Sequence, residues 1–377
     1  MKESKLKFEV IKKSWKARAW KIKLNWKEIT TPVFMPVGTK ATIKSIILDM
    51  LNDPKYTWTD KKIWIILANT FHLYLSPWEK TVKHFWWIHK FENWDGLVLT
   101  DSWWFQVFSL WLDKRSSRNK KLVQVKDDWV WFKSPKDWSE HIFTPEKVVD
   151  IQWDLWSDIM MVLDVCSPVH WNNKKKTAEQ MQLTHKWAKK AFDYFWDKYN
   201  DLNWVLFPIV QWWLHNDLRL ESLEYLKNFA WDGIAIWWVS VWETKEEMYQ
   251  VVDWLSNDLP EDKPRYLMWV WTPEDLKETI YQWIDMYDCV LPTRLARHWV
   301  AFHSSWKKLR VKNSQHKLSK ESLDNNCSCF TCRNFTRWYL NHLFKEKEML
   351  VATLLSLHNI VHLHNLTEEI KEDIISK

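Results

Sequence analysis

The sequence predicts an α/β fold in which eight parallel strands alternate with helices, a (β/α)8 or TIM barrel. Two observations carry that prediction. Eight short, nearly continuous apolar runs recur at 31–39, 63–70, 97–102, 157–164, 205–211, 234–240, 265–270 and 286–293. Runs of this kind suit parallel strands buried on both faces. Helical patterns lie between several of them, as at 178–199 and 218–229. Eight strand–helix units in about 260 residues is the arithmetic of such a barrel. The second observation is where the polar residues fall. Asn69, Asp101, Asp164, Gln211 and Asp288 stand at or near the C-terminal ends of their runs. The βα loops of a barrel converge at that end and carry its chemistry. One such Asp could cap the next helix, but three Asp and a Gln at equivalent ends predict a site.

Ahead of the first run, residues 1–30 alternate basic and apolar positions and predict a β-hairpin that caps the barrel. The barrel with its cap is expected over 1–303, followed by a basic subdomain and a closing helix over 304–377.

The chain has 377 residues, of which 46% are hydrophobic and 27% charged, as in ordinary globular proteins. It contains no run of 18 apolar residues and opens without an apolar leader, so the expectation is a cytoplasmic protein with no membrane contact. Its net charge of +6 leans toward a polyanionic partner. One pair of counts is abnormal: 34 Trp against 3 Gly. Average usage of about 7% would give roughly 26 Gly. Trp pairs stand at 86–87, 103–104, 212–213 and 237–238. Turns need φ > 0, which Gly supplies without a steric penalty. The composition therefore predicts that most of these Trp are Gly in the native protein, from a UGA codon read as Gly. Trp94 and Trp231 are the best candidates for true Trp.

Cys327, Cys329 and Cys332 cluster near the C-terminus, and His358 follows in LLSLHNIVHL. Three thiolates and one imidazole fill a tetrahedral Zn2+ site with no open position, which is the pattern of a structural site, one per subunit. On spacing alone His342, His362 and His364 also qualify as the fourth ligand. Five cysteines in all, without a leader, point to a reducing compartment.

Asp101 and Asp288 fall on the third and eighth strands. Two carboxylates at one mouth can serve as nucleophile and general acid/base at a glycosidic carbon. Metal binding or structural pairing would use the same residues.

The segments TDSWWFQVFSL (100–110), SDIMMVLDVCSP (157–168), PIVQWWLHNDLR (208–219), WDGIAIWWVSVWE (231–243), YLMWVWTPEDL (266–276) and IDMYDCVLPTRLARHW (284–299) resemble bacterial tRNA-guanine transglycosylase. The resemblance runs from Phe8 to about Leu363, and CSCFTCRNFTRWYL matches the family's cysteine cluster. Where the family has Gly in these motifs, this chain has Trp. Gly38, Gly96 and Gly233 remain as Gly.

The resemblance implies exchange of guanine at the anticodon wobble position of GUN tRNAs for a 7-deazaguanine, within queuosine biosynthesis. It implies Asp288 as the nucleophile at the ribose anomeric carbon and Asp101 as general acid/base. Asp164 and Gln211 match the residues that read the base edge, with Ser102 and Gln106 beside them. Phe105 and Met268 match the pair that sandwiches a flipped-out base, although both residue types also serve as ordinary core. Position 238, written Trp, should present only a backbone N–H. Backbone Val239, buttressed by Glu243, would accept from an aminomethyl group. Cys166 fits 7-aminomethyl-7-deazaguanine better than queuine. Val165 stands where the family has Glu, and Phe105 where it has Tyr.

Arg294 and Arg297, with Lys307, Lys308 and Arg310, are the expected RNA contacts, against the plainer reading of a solvated basic face. The family implies a homodimer. The competing expectations are a transglycosylase of archaeosine type acting elsewhere in tRNA, and a non-catalytic RNA-binding subunit. A third is a literal Trp chain that does not fold.

Overall fold

Two sheets of parallel strands, joined at both edges, form the centre of a mixed α/β fold. The computed structural model describes residues 5–102, 122–165, 173–199, 204–237 and 244–377. An antiparallel sheet comes first, with β1 (Lys7–Ser14), β2 (Ala17–Leu24) and β3 (Lys27–Thr30). The parallel strands are β4 (Val33–Pro36), β5 (Ile65–Asn69), β6 (Leu97–Asp101), β10 (Ile159–Met161), β11 (Val205–Phe207), β12 (Ile209–Val210), β13 (Ile234–Ile236), β14 (Arg265–Leu267) and β15 (Met286–Cys289). Between β6 and β10 lies a second antiparallel sheet, β7 (Val123–Val125), β8 (Val130–Lys133) and β9 (Glu140–Phe143).

The parallel pairing runs β5–β6–β10–β11 in one sheet and β12–β13–β14–β15–β4 in the other. Two links join them. β11 and β12 are one chain segment interrupted at Pro208, which has no N–H to donate, while its carbonyl accepts from Ala235 N at 2.9 Å. At the other edge Val37 bridges Leu67 in parallel, and Gly38 N donates to Leu67 O at 2.6 Å. Every residue of β5, β6 and β10 through β15 is buried, as strands covered on both faces must be.

The helices between the strands start where the sequence supplies caps. Thr244 and Thr272 each form a capping box, with Glu247 and Asp275 respectively. Thr144 caps Pro145–Leu155 by accepting from Lys147 N at 3.1 Å. Such caps satisfy N–H groups that a helix start leaves unpaired.

The expected two-stranded cap is a three-stranded sheet, because β3 (KEIT) continues the alternation of β2. It sits at the N-terminal ends of the parallel strands. Arg18 on β2 forks onto Asp285, just before β15, at 2.9 and 2.6 Å. Asn25 donates to Asp158, just before β10, at 2.6 Å. The opposite strand ends are thereby left for a ligand. The β7–β9 sheet was not expected. Its strands are three or four residues long and alternate in burial, so they lack a continuous apolar run.

β16 (Val300–Phe302) and β17 (Lys308–Arg310) form a hairpin across the expected 303/304 division. The last helix, Leu350–Ser376, is buried on most sides and bound to many parts of the chain. Asn359 accepts from Phe302 N at 2.8 Å and donates to Pro292 O and Val300 O. Lys371 Nζ reaches Thr30 Oγ1 at 3.0 Å. No helix among the described residues is long and apolar enough to cross a membrane.

Backbone conformation sets this chain apart. Among the described residues 18 non-Gly positions have positive φ, and 13 of them are Trp; no Gly does.

Candidate active site and metal centre

Asp101 ends β6 and Asp288 lies in β15, and both are buried at the same end of the parallel strands. Asn69, the last residue of β5, joins them: its Nδ2 donates to Asp101 Oδ2 at 2.8 Å. The same Asn caps the helix Thr70–Leu75, its Oδ1 accepting from His72 N at 2.9 Å, which fixes its rotamer. Among the described residues Asp101 Oδ1 is buried with no hydrogen-bond partner. Burial, and next the opposing pull of Asn69 and the charge of Asp288, leave the Asp101 carboxyl pushed up to about 8.

Asp288 is held differently. Tyr266 Oη donates to its Oδ1 at 2.7 Å, and the backbone N–H of residue 269 donates to the same oxygen at 2.8 Å. Burial raises this carboxyl too, but the two donors stabilise its charge and it stops at about 6. Near neutral pH the pair therefore divides into a protonated Asp101 and an ionised Asp288. Paired groups whose environments drive their proton affinities apart are how a site separates acid from base.

Asp164 and Gln211 stand beside this pair. Ser102 Oγ donates to Asp164 Oδ1 at 3.3 Å, while Asp164 Oδ2 is buried without a partner. Burial pushes the Asp164 carboxyl up to about 7, against the hydrogen bonds of Ser102 and Gln211. Gln211 Nε2 donates to Val165 O at 2.9 Å, and its Oε1 is likewise buried and unpartnered. Donation from Gln211 to a base O6, as the sequence suggested, therefore requires the amide to turn. Met268 follows β14 and is buried. Three acceptors without a partner among the described residues, on Asp101, Asp164 and Gln211, share one buried region and suit a ligand rich in N–H donors. Phe105, Gln106, Cys166, Trp238, Val239 and Glu243 lie outside the described residues.

The basic residues divide into two groups. Arg294 is exposed on the helix Leu291–Ala296 that follows Asp288, and Arg297 caps that helix half-buried. Lys307, Lys308 and Arg310 are exposed along the β16–β17 hairpin. The sequence analysis missed Lys44 and Lys40, on the loop after β4. Arg297 and Lys40 depress Lys44 after burial does, and Lys40 and Lys44 help burial hold His72 down at about 4. It also assigned no role to Tyr266 or Asn69. Tyr266 lies inside an apolar strand, where no sequence signal separates it from core. Asn69 showed itself only as a polar strand end.

The cysteine cluster comes together as its spacing predicts. Ligand atoms of Cys327, Cys329, Cys332 and His358 all lie within 4.8 Å of one another. His358 Nδ1 is 3.6 Å from Cys329 Sγ and 3.3 Å from Cys332 Sγ. Its Nε2 faces Phe302 O at 2.9 Å, so the carbonyl holds the proton on Nε2 and turns the Nδ1 lone pair toward the sulfurs. Of the other candidates, His364 Nε2 meets Lys61 O at 2.9 Å instead. This donor set fits a metal ion.

Residues 13–377 match the family model described as queuine tRNA-ribosyltransferase. A queuine tRNA-ribosyltransferase of Caldanaerobacter subterraneus subsp. tengcongensis is 44% identical over 373 residues, covering 98% of this chain and 93% of the relative. One of Francisella tularensis subsp. novicida is 41% identical over 367 residues, covering 97% and 94%. With most of its length matched in this way, the chain belongs to the queuine tRNA-ribosyltransferase family, the tRNA-guanine transglycosylases of queuosine synthesis.

Proposed function

We propose that the site exchanges guanine for 7-aminomethyl-7-deazaguanine at the wobble position of GUN tRNAs, by double displacement through Asp288. The observation that carries this reading is the split between the two buried carboxyls beside three orphan acceptors. The ionised Asp288 attacks ribose C1′, its oxygen–C1′ bond forming as the C1′–N9 bond breaks. Asp101 delivers its proton to the departing guanine and becomes the base for the next half-reaction. It then takes a proton from the incoming 7-deazaguanine, whose ring nitrogen attacks C1′ and releases Asp288. Two inversions give net retention.

Asp164 suits the N1–H and amino group of the base, Ser102 helps position Asp164, and Met268 supplies an apolar face. The 7-aminomethyl preference rests on Cys166 and Val239 in the sequence. The basic set Arg294, Arg297, Lys307, Lys308 and Arg310 is assigned to tRNA phosphates, with Lys44 beside Arg297 extending it.

The strand series is read as one closed (β/α)8 barrel over 1–303, followed by a metal subdomain over 304–377. Cys327, Cys329, Cys332 and His358 would hold one structural Zn2+, which cross-links the cysteine loop to the last helix. A cytoplasmic homodimer, with one subunit catalytic per tRNA, completes the proposal.

The test is incorporation of labelled guanine into unmodified tRNA carrying a GUN anticodon, with denaturing gels to detect a covalent enzyme–tRNA adduct. The proposal expects both signals in the parent protein and neither in Asp288→Asn. Exchange that survives Asp288→Asn would overturn the assigned nucleophile.

A further inference from the structure

The tryptophan excess has no role in the reaction, and the backbone shows where it is concentrated. Thirteen described Trp have φ between 49° and 101°, at 15, 58, 78, 86, 87, 138, 156, 212, 213, 269, 283, 299 and 306. In that region an L side chain meets its own carbonyl, and a bulky residue is an outlier. Glycine enters it freely. The three glycines that the chain does have avoid it altogether. Gly96 and Gly233 are used for close packing instead: a Cβ on Gly233 would run into the Phe207 ring.

Side-chain surroundings point the same way. Trp15, Trp58, Trp78, Trp86, Trp138 and Trp306 place indoles in solvent, at 45–81% exposure. Among the described residues none of those rings belongs to the hydrophobic core. The contrasting Trp have ordinary φ and real partners. Trp94 Nε1 donates to Leu97 O at 3.1 Å, and Trp187 Nε1 to Asp127 O at 2.8 Å. Trp231 packs among Phe192, Trp196 and Phe229.

We infer that the working protein carries glycine at the left-handed Trp positions, and that glycine at 269 opens the base pocket. Residues 212 and 213 directly follow Gln211, at φ 101° and 53°. Residue 269, at φ 60°, gives Asp288 its backbone hydrogen bond. The ring at 269 lies 4.8 Å from that of Trp237 and 6.4 Å from that of Trp271. Three indoles therefore crowd the strand ends where a purine has to enter. A glycine at 269 keeps the N–H on Asp288 and removes the ring. One codon accounts for the whole pattern, since UGA differs by one base from both a Trp codon and a Gly codon. The pocket clause rests on the transglycosylase reading; the residue identities do not.

The experiment has two arms. The coding DNA is read at the 13 left-handed positions and at 94, 187 and 231. The native protein is then digested and its peptides sequenced by mass spectrometry. Expected are UGA codons and Gly masses at the 13 positions, with UGG codons and Trp masses at 94, 187 and 231. UGG codons, or Trp in the native peptides spanning 212–213 and 269, would overturn the inference whether or not the protein exchanges guanine. For the pocket, chains made from a synthetic gene with Gly at all 13 positions are compared with chains that restore Trp only at 269. Guanine should bind the first and be lost from the second at an unchanged far-ultraviolet circular dichroism spectrum. Equal binding would overturn the pocket clause.

Discussion

Tyr266 Oη donates to Asp288 Oδ1 at 2.7 Å from the neighbouring strand, inside a region where neither side chain meets water. The bond stabilises the ionised carboxylate and holds one oxygen, leaving Oδ2 outside this contact. Hydrogen bonds to charged groups contribute about 1.5–3 kcal/mol. Tyr266→Phe should therefore raise the Asp288 carboxyl by about one pKa unit, lowering exchange roughly twofold at pH 7 and roughly tenfold on the acid limb at about pH 5. Because Tyr266 positions Asp288 and does not touch the reacting carbon, raising the pH should restore part of the loss. A pH-independent loss would mean that the hydroxyl serves packing alone.

The two carboxyls also set the pH profile. Asp288 must be ionised, which it is above about 6, and Asp101 must be protonated, which it is below about 8. Guanine exchange should rise through pH 6, peak near neutrality and fall through pH 8. The limbs belong to the coupled pair as a unit. Asp101→Asn should abolish the alkaline limb along with nearly all activity. The measurement is kcat/KM against pH in the parent and in that variant.

Stability should move in the opposite direction to activity. The folded chain raises Asp101 above its unfolded value, so the native state binds the extra proton. That group therefore costs nothing below about pH 4, costs progressively more as pH rises toward 8, and levels off above it. Asp101→Asn removes the titration and can keep the Asn69 contact. It should stabilise the protein on the order of 5 kcal/mol at pH 8 and hardly at all at pH 4. Chemical denaturation at the two pH values checks this.

The candidate active end was legible in the sequence because each acidic residue stands at or near the end of an apolar run, and apolar runs mark buried strands. The candidate metal cluster was legible because three Cys within six residues, with a His further on, match the spacing of a tetrahedral site. Tyr266 was hidden for the converse reason: a hydroxyl inside RYL reads as core until its partner on the next strand is known. The join between the two parallel sheets was hidden too. The segment 205–210 divides at Pro208 to pair on both sides, and only the register shows it. The β7–β9 sheet escaped because three- and four-residue alternations are too short to distinguish from loop.

Metal loss should act on the fold before it acts on chemistry. Cys329 and Cys332, at the short helix Phe330–Asn334, meet His358 on the buried face of the last helix, and that helix also binds Phe302, Pro292, Val300 and Thr30. Cys329→Ser should lose about one equivalent of metal per chain by elemental analysis. Loss of a structural metal belongs among the changes that cost more than about 4 kcal/mol, so the thermal midpoint should fall sharply. Chelation of the parent should reproduce the drop, and adding Zn2+ should reverse it. A variant that keeps its metal would leave Cys329 outside the ligand set.

Trp15 and Trp187 should respond oppositely to the same substitution. Trp15 turns the chain between β1 and β2 at φ 49°, with 81% of its surface in water. Gly there relieves a left-handed backbone worth about 1–2 kcal/mol and gives up almost no buried surface. Trp15→Gly should therefore raise stability by about 1 kcal/mol, whereas Trp15→Ala keeps the Cβ and should change little. Trp187 is fully buried in the helix Lys174–Tyr199 and bonded to Asp127 O. Trp187→Gly opens a cavity in the core and should cost about 3–5 kcal/mol, with the helix penalty of Gly, about 1 kcal/mol, added. Urea denaturation of the three variants separates the cases. Equal destabilisation by Trp15→Gly and Trp187→Gly would mean that the indole at 15 is held by contacts that matter, and that its left-handed backbone carries no strain.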